Sequence, residues 1–196
     1  MNKLIVIVGS SGVGKTTLAR ALYEKHNFAI AYEQHNERPF QTLFKQDSKY
    51  ALANQMDYLL FRAEQEWELR KGDKPALMDG GLDLDFHGFT RLFHMRGWLT
   101  DEEFDLCRRF YQHTRALLPP PDLIIHLTAS AQIISERLAA RNRINITSNK
   151  DTELLNSFID EWLVSVPPAH LLHLDVSDEP SDCSQSMQTI LDKLNL

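Results

Sequence analysis

The chain has 196 residues, the length of one domain with a sizeable core, so we predict a single domain over residues 1–196. Its formal net charge of -6 argues against a broad nucleic-acid surface, so any phosphate site should be local. Two cysteines, Cys107 and Cys183, cannot form a disulfide framework, and the first apolar run, Leu4–Val8, is far shorter than a membrane span. These features predict a cytoplasmic protein without a nucleic-acid or membrane partner.

The first predicted element is a strand at Leu4–Val8, because a continuous β-branched run is typical of strands covered on both faces. A segment with the pattern G-x-x-x-x-G-K-[ST] follows this strand and precedes a helical pattern. In that context the backbone N–H groups and the helix N-terminus cradle an anion. The predicted nucleotide-binding residues are Gly9, Ser10, Ser11, Gly12, Val13, Gly14, Lys15, Thr16 and Thr17.

Two side chains of this loop have predicted chemical roles. Lys15 is expected to reach the β- and γ-phosphates of ATP, and the Thr16 hydroxyl is expected to ligate Mg²⁺. A glycine-rich turn with a chance Lys-Thr pair is the alternative. Such loops occur in switches, motors and kinases, so the loop alone does not name the reaction.

The next predicted elements are a strand at Phe28–Tyr32, a helix at Asp47–Lys71 and a strand at Ala76–Met78. The helix is predicted from apolar residues at spacings of three and four: Leu52, Met56, Leu59, Leu60, Ala63 and Trp67. Asp79 ends the third strand and should lie near the phosphate loop, because ligands bind beyond the carboxyl ends of parallel strands. It could ligate the metal or accept a proton from an attacking hydroxyl; a turn residue capping the next helix is the alternative.

The second half of the chain continues the alternation of helices and strands. Thr100 and Glu103 form a capping-box pattern at the start of a predicted helix, Asp101–Leu118. The remaining predicted elements are a strand at Leu123–Leu127, helices at Ser130–Ala140 and Thr152–Val164, and a strand at His170–Leu174. The whole pattern predicts an α/β P-loop fold with a five-stranded parallel sheet and helices on both faces.

Three arginines cluster near the end of the helix predicted at Ser130–Ala140. Arg137 and Arg141 share a helix face, and Arg143 follows in a polar loop. In an otherwise acidic protein they could form a lid, at approximately 137–150, that stabilises charge on transferring phosphates. Solvated helix charge is the alternative.

Taken in order, these features resemble the deoxynucleoside kinase family, P-loop enzymes that transfer the γ-phosphate of ATP to the 5′-hydroxyl of a nucleoside. The resemblance implies that Glu33 lies near the 5′-hydroxyl and the metal, and that Asp79 is the general base of a D/E-R-S motif. It also implies that the base is bound by Gln55, Arg62 and Asp85. His173–Val176 resembles the last strand, which leads into the loop beside the adenine, and the family is commonly homodimeric.

The chain departs from the family pattern at the acceptor sugar. Gly80 stands where the motif has Arg, so a cation near the 5′-oxygen is missing. Phe44 stands where the family has a Tyr that bonds the sugar 3′-hydroxyl, and the Glu partner of that Tyr falls at Asn145 or Ile146. Because both halves of one sugar contact are missing together, the sequence indicates a changed acceptor.

The sequence therefore predicts ATP- and Mg²⁺-dependent phosphorylation of a (deoxy)nucleoside. The predicted catalytic residues are Lys15, Glu33, Asp79, Arg137, Arg141 and Arg143. The predicted substrate-binding residues are Glu33, Phe44, Gln55, Arg62 and Asp85. The predicted metal ligands are Thr16, Glu33 and Asp79. Two alternatives remain, namely a kinase for nucleoside monophosphates or other small metabolites, and a nucleotide-binding regulatory or accessory protein without turnover.

Overall fold

A parallel five-stranded sheet forms the centre of the computed structural model, which describes residues 2–32, 38–139 and 149–195. The strands are Leu4–Gly9 (β1), Ala29–Ala31 (β2), Ala76–Asp79 (β3), Leu123–Thr128 (β4) and Leu171–Asp175 (β5). They lie in the order β2-β3-β1-β4-β5, and every neighbouring pair is parallel. All five predicted strands are confirmed, and no strand end differs from the prediction by more than one residue.

The helices of the described residues lie between and after these strands. They are Lys15–Lys25 (α1), Pro39–Gln46 (α2), Ala51–Lys71 (α3), Leu82–Leu84 (α4), Arg91–Met95 (α5), Asp101–Leu117 (α6), Ala131–Ala139 (α7), Asn149–Val164 (α8) and Ser184–Leu194 (α9). Short 3₁₀ turns occupy Ser48–Tyr50 and Pro168–His170, and a π-helical turn, Asp85–Thr90, joins α4 to α5. No helix of the described residues is long and apolar enough to cross a membrane.

The four helices predicted with bounds correspond to α3, α6, α7 and α8. The capping box of α6 is confirmed, because Glu103 N donates to Thr100 Oγ1 and Thr100 N donates to Glu103 Oε2. Residues 47–50, predicted as the start of the long helix, instead form the Asp47 cap and a 3₁₀ turn. α2 and α9 were not predicted.

Helices cover both faces of the sheet, as the sequence predicts. Side chains alternate along β1, so Ile5 and Ile7 pack with α1 and α9, while Val6 and Val8 pack with α8. A third apolar cluster, centred on Leu59, joins α3 to the α4–α5 segment and α6. β1 leads through a loop into α1, and β3 leads through a short turn into α4, whose Leu82 belongs to this third cluster.

The predicted apolar face of α3 is wrong in part. Leu60 and Trp67 are 48% and 46% exposed. The buried side of the helix instead carries polar side chains at helical spacing, which are Asn54, Gln55, Arg62, Glu66 and Arg70. Burial of the charged residues Arg62 and Glu66 is tolerated because Asp85 and Arg115 pair with them, as described below.

Candidate active site

The loop between β1 and α1 is shaped by glycines. Gly9, Gly12 and Gly14 have φ angles of 142°, 83° and 115°, a region that other residues rarely adopt. A Cβ atom at Gly9 would lie 2.4 Å from the Leu127 carbonyl oxygen, so the loop also approaches β4 too closely for a side chain. Gly14 is the N-cap of α1, and the loop therefore presents the N-terminus of that helix as an anion site.

Lys15 is the first residue of α1 and directly follows this loop. Its Nζ atom donates to the carbonyl oxygens of Gly9 and Ser10, each at 3.0 Å. The ammonium group is thus held next to the backbone that would surround the phosphates, in the place expected for a lysine that neutralises them.

Asp79 and Thr16 join the phosphate loop to the neighbouring strand. Asp79 ends β3 opposite Ile7 of β1 and is fully buried. The Thr16 hydroxyl donates to Asp79 Oδ2 at 2.5 Å, a short charge-assisted bond. The carboxylate thus lies beside the loop, as the strand order requires, and the two oxygens are of the hard type that Mg²⁺ prefers.

Arg137 extends from α7 onto the phosphate loop. Its Nη1 donates to the Val13 carbonyl at 2.7 Å, and its Nη2 donates to the Val176 carbonyl at 2.9 Å. Leu138 packs on the same loop, since a Cβ atom at Gly12 would lie 2.8 Å from its Cγ atom. The start of the predicted lid therefore rests on the loop and links it to the segment after β5.

A cleft of about 390 Å³ opens beside this linkage. Gly14 and Thr17 line it on the side of the phosphate loop, and residues after β5 line much of the remainder, including Val176, Pro180 and Ser186. The Arg137 side chain connects these two sides, because it bonds the carbonyls of Val13 and Val176. The cleft lies beside the segment after β5, which the resemblance assigns to adenine binding.

Gln55, Arg62 and Asp85 form one buried cluster, and each is at most 6% exposed. Gln55 Nε2 donates to the Asp85 carbonyl at 3.2 Å and to Thr90 Oγ1 at 2.9 Å. Arg62 Nε donates to Asp85 Oδ2 at 2.9 Å. The structure thus brings together the three residues that the resemblance assigns to base binding.

A sequence profile described as deoxynucleoside kinase matches residues 5–195. The chain belongs to the deoxynucleoside kinase family. Members of this family are phosphotransferases that act on nucleoside hydroxyl groups, which supports the predicted ATP-dependent phosphorylation of a nucleoside.

Three curated relatives of this chain are named as deoxynucleoside kinases. A deoxyadenosine kinase of Dictyostelium discoideum is 31% identical over 140 residues, which cover 71% of this chain and 57%, less than two thirds, of that protein. A deoxyguanosine kinase of Bacillus subtilis is 26% identical over 168 residues, covering 83% of this chain and 77% of the relative. A deoxyadenosine/deoxycytidine kinase of the same bacterium is 21% identical over 199 residues, covering 98% and 92%.

The fold matches solved kinases of this kind. The structure of a deoxyadenosine kinase from M. mycoides with the products dCMP and dCDP covers 98% of both chains, with a TM-score of 0.80 and 22% identity. The same kinase with bound dATP gives a TM-score of 0.78 and 21% identity, covering 98% of this chain and 99% of that one. The predicted α/β P-loop architecture is confirmed.

Phe44 and Gly80 are the positions at which, by the resemblance, this chain departs from the family pattern. The Phe44 ring stacks on Phe93, with centroids 4.9 Å apart, and meets the edge of Trp98 at 5.2 Å. It contributes to the third apolar cluster and carries no hydroxyl for a sugar. Three further predicted residues of the kinase site, Glu33, Arg141 and Arg143, lie outside the described residues, as do Asn145 and Ile146.

An ion-pair network that joins α3, α4 and α6 is not predicted from the sequence. Arg115 of α6 donates to both oxygens of Glu66 and of Asp83, at 2.8 to 3.0 Å. Arg70 Nε donates to the same Glu66 at 2.9 Å. Burial opposes the charge of Arg115, but the two carboxylates outweigh it and raise its pKa. The i,i+4 spacing of Glu66 and Arg70 is the only sequence signal of this network.

A second cleft, of about 480 Å³, lies beside this network at the opposite end of the sheet. His87 and Trp162 line it with stacked rings, 5.3 Å between centroids. Burial lowers the pKa of His87 to about 4, so the ring is neutral at physiological pH. Since this cleft is lined by residues that precede β4 and β5, it is separate from the phosphate loop.

Proposed function

We propose that the protein transfers the γ-phosphate of ATP to the 5′-hydroxyl of a deoxynucleoside. The observation that carries this proposal is the position of Asp79, which contacts Thr16 of the phosphate loop and precedes the turn leading to Asp85 of the base cluster. One buried carboxylate thus lies between the donor loop and the acceptor cluster, which is where phosphoryl transfer requires one.

The donor side provides the electrostatics of transfer. The loop N–H groups, the N-terminus of α1 and Lys15 would hold the β- and γ-phosphates of ATP. The adenine would enter the cleft beside Arg137, between the loop and the segment after Val176. Arg141 and Arg143, named by the resemblance, would add positive charge over the phosphates.

Thr16 and Asp79 fit a Mg²⁺ ion, because a hydroxyl and a carboxylate oxygen meet beside the phosphate loop. Glu33 is the third expected ligand by resemblance. When bound, Mg²⁺ neutralises charge on the β- and γ-phosphates.

The chemical step forms a bond between the 5′-oxygen and the γ-phosphorus and breaks the bond to the β,γ-bridging oxygen. The electron pair of the broken bond leaves with ADP, and the hydroxyl proton passes to Asp79 or Glu33. Closure of the lid over the phosphates would exclude water, which favours transfer to a nucleoside over ATP hydrolysis.

The hydrogen bonds of Gln55 favour a base that carries an exocyclic amino group. Thr90 Oγ1 donates its proton to the Asp85 carbonyl at 3.0 Å, so it can only accept from Gln55 Nε2. Both Gln55 amide hydrogens are therefore used within the protein, and Oε1 is the atom that can accept a bond from a ligand. Deoxyadenosine and deoxycytidine offer an amino donor, whereas thymidine offers a carbonyl at that edge.

An acceptor panel tests this proposal. ADP release should be coupled to deoxyadenosine and deoxycytidine, with slower turnover of thymidine and none of dAMP, and the product should be the 5′-monophosphate by ³¹P NMR. Transfer to monophosphates but not to nucleosides would instead support the monophosphate kinase alternative. ATP binding without transfer to any acceptor would support the accessory-protein alternative.

The proposed active form is a cytoplasmic homodimer. Family resemblance favours a dimer, and apolar residues stand exposed on the packed helices α3 and α6, at Leu60, Trp67, Leu106 and Leu117. Such residues are typical of a face that a second copy covers. Light scattering should give twice the chain mass, and Trp67→Glu should reduce it to one chain mass if this face forms the interface.

A further inference from the structure

By the resemblance, Gly80 stands where the motif has an arginine after the carboxylate, and the structure shows which side chain lies against this glycine. The Gly80 φ angle is +78°, and its N–H donates to the Ile7 carbonyl at 2.9 Å. The turn after β3 therefore adopts a left-handed backbone conformation that a non-glycine residue would enter only with strain.

The guanidinium of Arg62 lies against this glycine. A Cβ atom at position 80 would lie 3.1 Å from Arg62 Nη2 and 3.7 Å from Arg62 Cζ. A side chain at position 80 and Arg62 in its present place would therefore compete for the same space. The residue next to this contact is Asp79, the carboxylate of the phosphate site.

Arg62 is held in this position from two other sides. Its Nε donates to Asp85 and its Nη1 donates to Gln65 Oε1 at 3.0 Å. Gln65 in turn donates to the carbonyl of Tyr32 at 3.3 Å, one residue before Glu33. Arg62 is 3% exposed, so its charge acts in a site with little solvent screening.

We infer that Arg62 supplies, beside Gly80, the positive charge near the 5′-oxygen that the resemblance assigns to the motif arginine. This inference rests on the proposed kinase activity and extends the role of Arg62 beyond the base. The loss of one arginine at position 80 is thereby offset by the placement of another. A guanidinium here stabilises negative charge on the acceptor oxygen and on the phosphoryl group during transfer.

Kinetics with several nucleosides separate this role from base binding. Arg62→Lys should lower kcat at saturating nucleoside by about 10²-fold, by the same factor for each accepted base, because the lost contact is to the reacting atoms. A rise in KM with unchanged kcat, or a factor that depends on the base, would overturn the inference and leave base binding as the only role. Arg108→Lys, on the exposed face of α6, is the control with unchanged kinetics.

A second variant tests the contact from the glycine side. Gly80→Ala places a methyl group 3.1 Å from Arg62 Nη2 and should lower kcat about tenfold by displacing the guanidinium. Gly97→Ala is the matched control, since Gly97 has a φ angle of +68° but no described heavy atom within 4 Å of its added Cβ. Equal kcat for the two alanine variants would contradict the inference.

The folded state is checked by thermal unfolding of each variant. If Arg62→Lys does not fold because Asp85 is left poorly paired, Gly80→Ala carries the test alone, since it leaves both charges of the Arg62–Asp85 pair in place. An inactive wild-type protein would refute the proposed function itself. An active wild type whose kcat is insensitive at positions 62 and 80 would refute only this inference.

Discussion

Glu66 holds two arginines inside the protein, so neutralising it is expected to destabilise the fold strongly. Its carboxylate is 1% exposed and accepts bonds from Arg70 and Arg115 at 2.8 to 2.9 Å. Together with Asp83, the cluster contains two arginines and two carboxylates. Glu66→Gln keeps the size of the side chain but leaves the cluster with one net positive charge.

The expected magnitude follows from this burial. Removing one partner of a buried ion pair costs about 3–5 kcal/mol. For a domain of this length about 1 kcal/mol shifts Tm by roughly 2–4 °C, so Tm should fall by roughly 6–20 °C. Glu68→Gln makes the same chemical change two residues along α3, where the ion pair with Lys71 is exposed and is worth about 0–1 kcal/mol.

Circular dichroism at pH 7.5 measures Tm for the wild type and both variants, and urea titration gives the free energy of unfolding. The urea m-value should stay constant, since the substitution changes no apolar surface. Equal Tm values for Glu66→Gln and Glu68→Gln, within about 2 °C, would show that the buried cluster does not hold α3 to the domain.

Three further predictions concern the site and its pH dependence. Lys15→Ala should abolish phosphate transfer and weaken ATP binding by at least about tenfold in calorimetry, while unchanged activity would disprove the phosphate-loop assignment. Asp79→Asn should lower kcat by about 10²-fold or more with a small change in nucleoside KM; a change in KM alone would exclude a role in the chemical step. The pKa of His87 is lowered from 6.5 to about 4, so the unfolded chain binds an extra proton in that interval and stability is lost as pH falls through it. His87→Phe should reduce the loss of Tm between pH 6.5 and pH 4, whereas His113→Phe, at an exposed position, should leave that loss unchanged.

The strands and the phosphate loop could be predicted because their signals are local. β1 is a continuous apolar run that both faces of the sheet bury, and the glycine spacing of the next segment reports a backbone shape directly. Asp79 could be placed beside that loop because parallel strands end at one edge.

The buried face of α3 could not be predicted in the same way. Leu60 and Trp67 fit the helical period but face outward, while Arg62 and Glu66 face inward. The partners that make this arrangement possible, Asp85 and Arg115, lie 23 and 49 residues away along the chain. Local periodicity carries no information on such partners and therefore predicts the more hydrophobic stripe as the buried face.

α9 was missed for a different reason. Met187, Ile190 and Leu191 have helical spacing and are buried, and the first two pack with α1, so a helical pattern was present after the last predicted strand. The proposed role of Arg62 depends on a spatial contact with Gly80, eighteen residues away, which only the folded chain reveals.

The buried polar residues of α3 have two different roles at different positions along the helix, namely contact with the base cluster and attachment of the helix to the rest of the domain. Gln55 and Arg62 lie toward one end, and Glu66 and Arg70 fasten the other end through charge pairs and through the carbonyls of Pro119 and Pro120. A new base preference could therefore be engineered by changing Gln55 without redesigning a hydrophobic interior. A nucleoside analogue whose base needs a different hydrogen bond could therefore be accepted through a change at Gln55. Such a change should cost the fold less stability than a change in the apolar core.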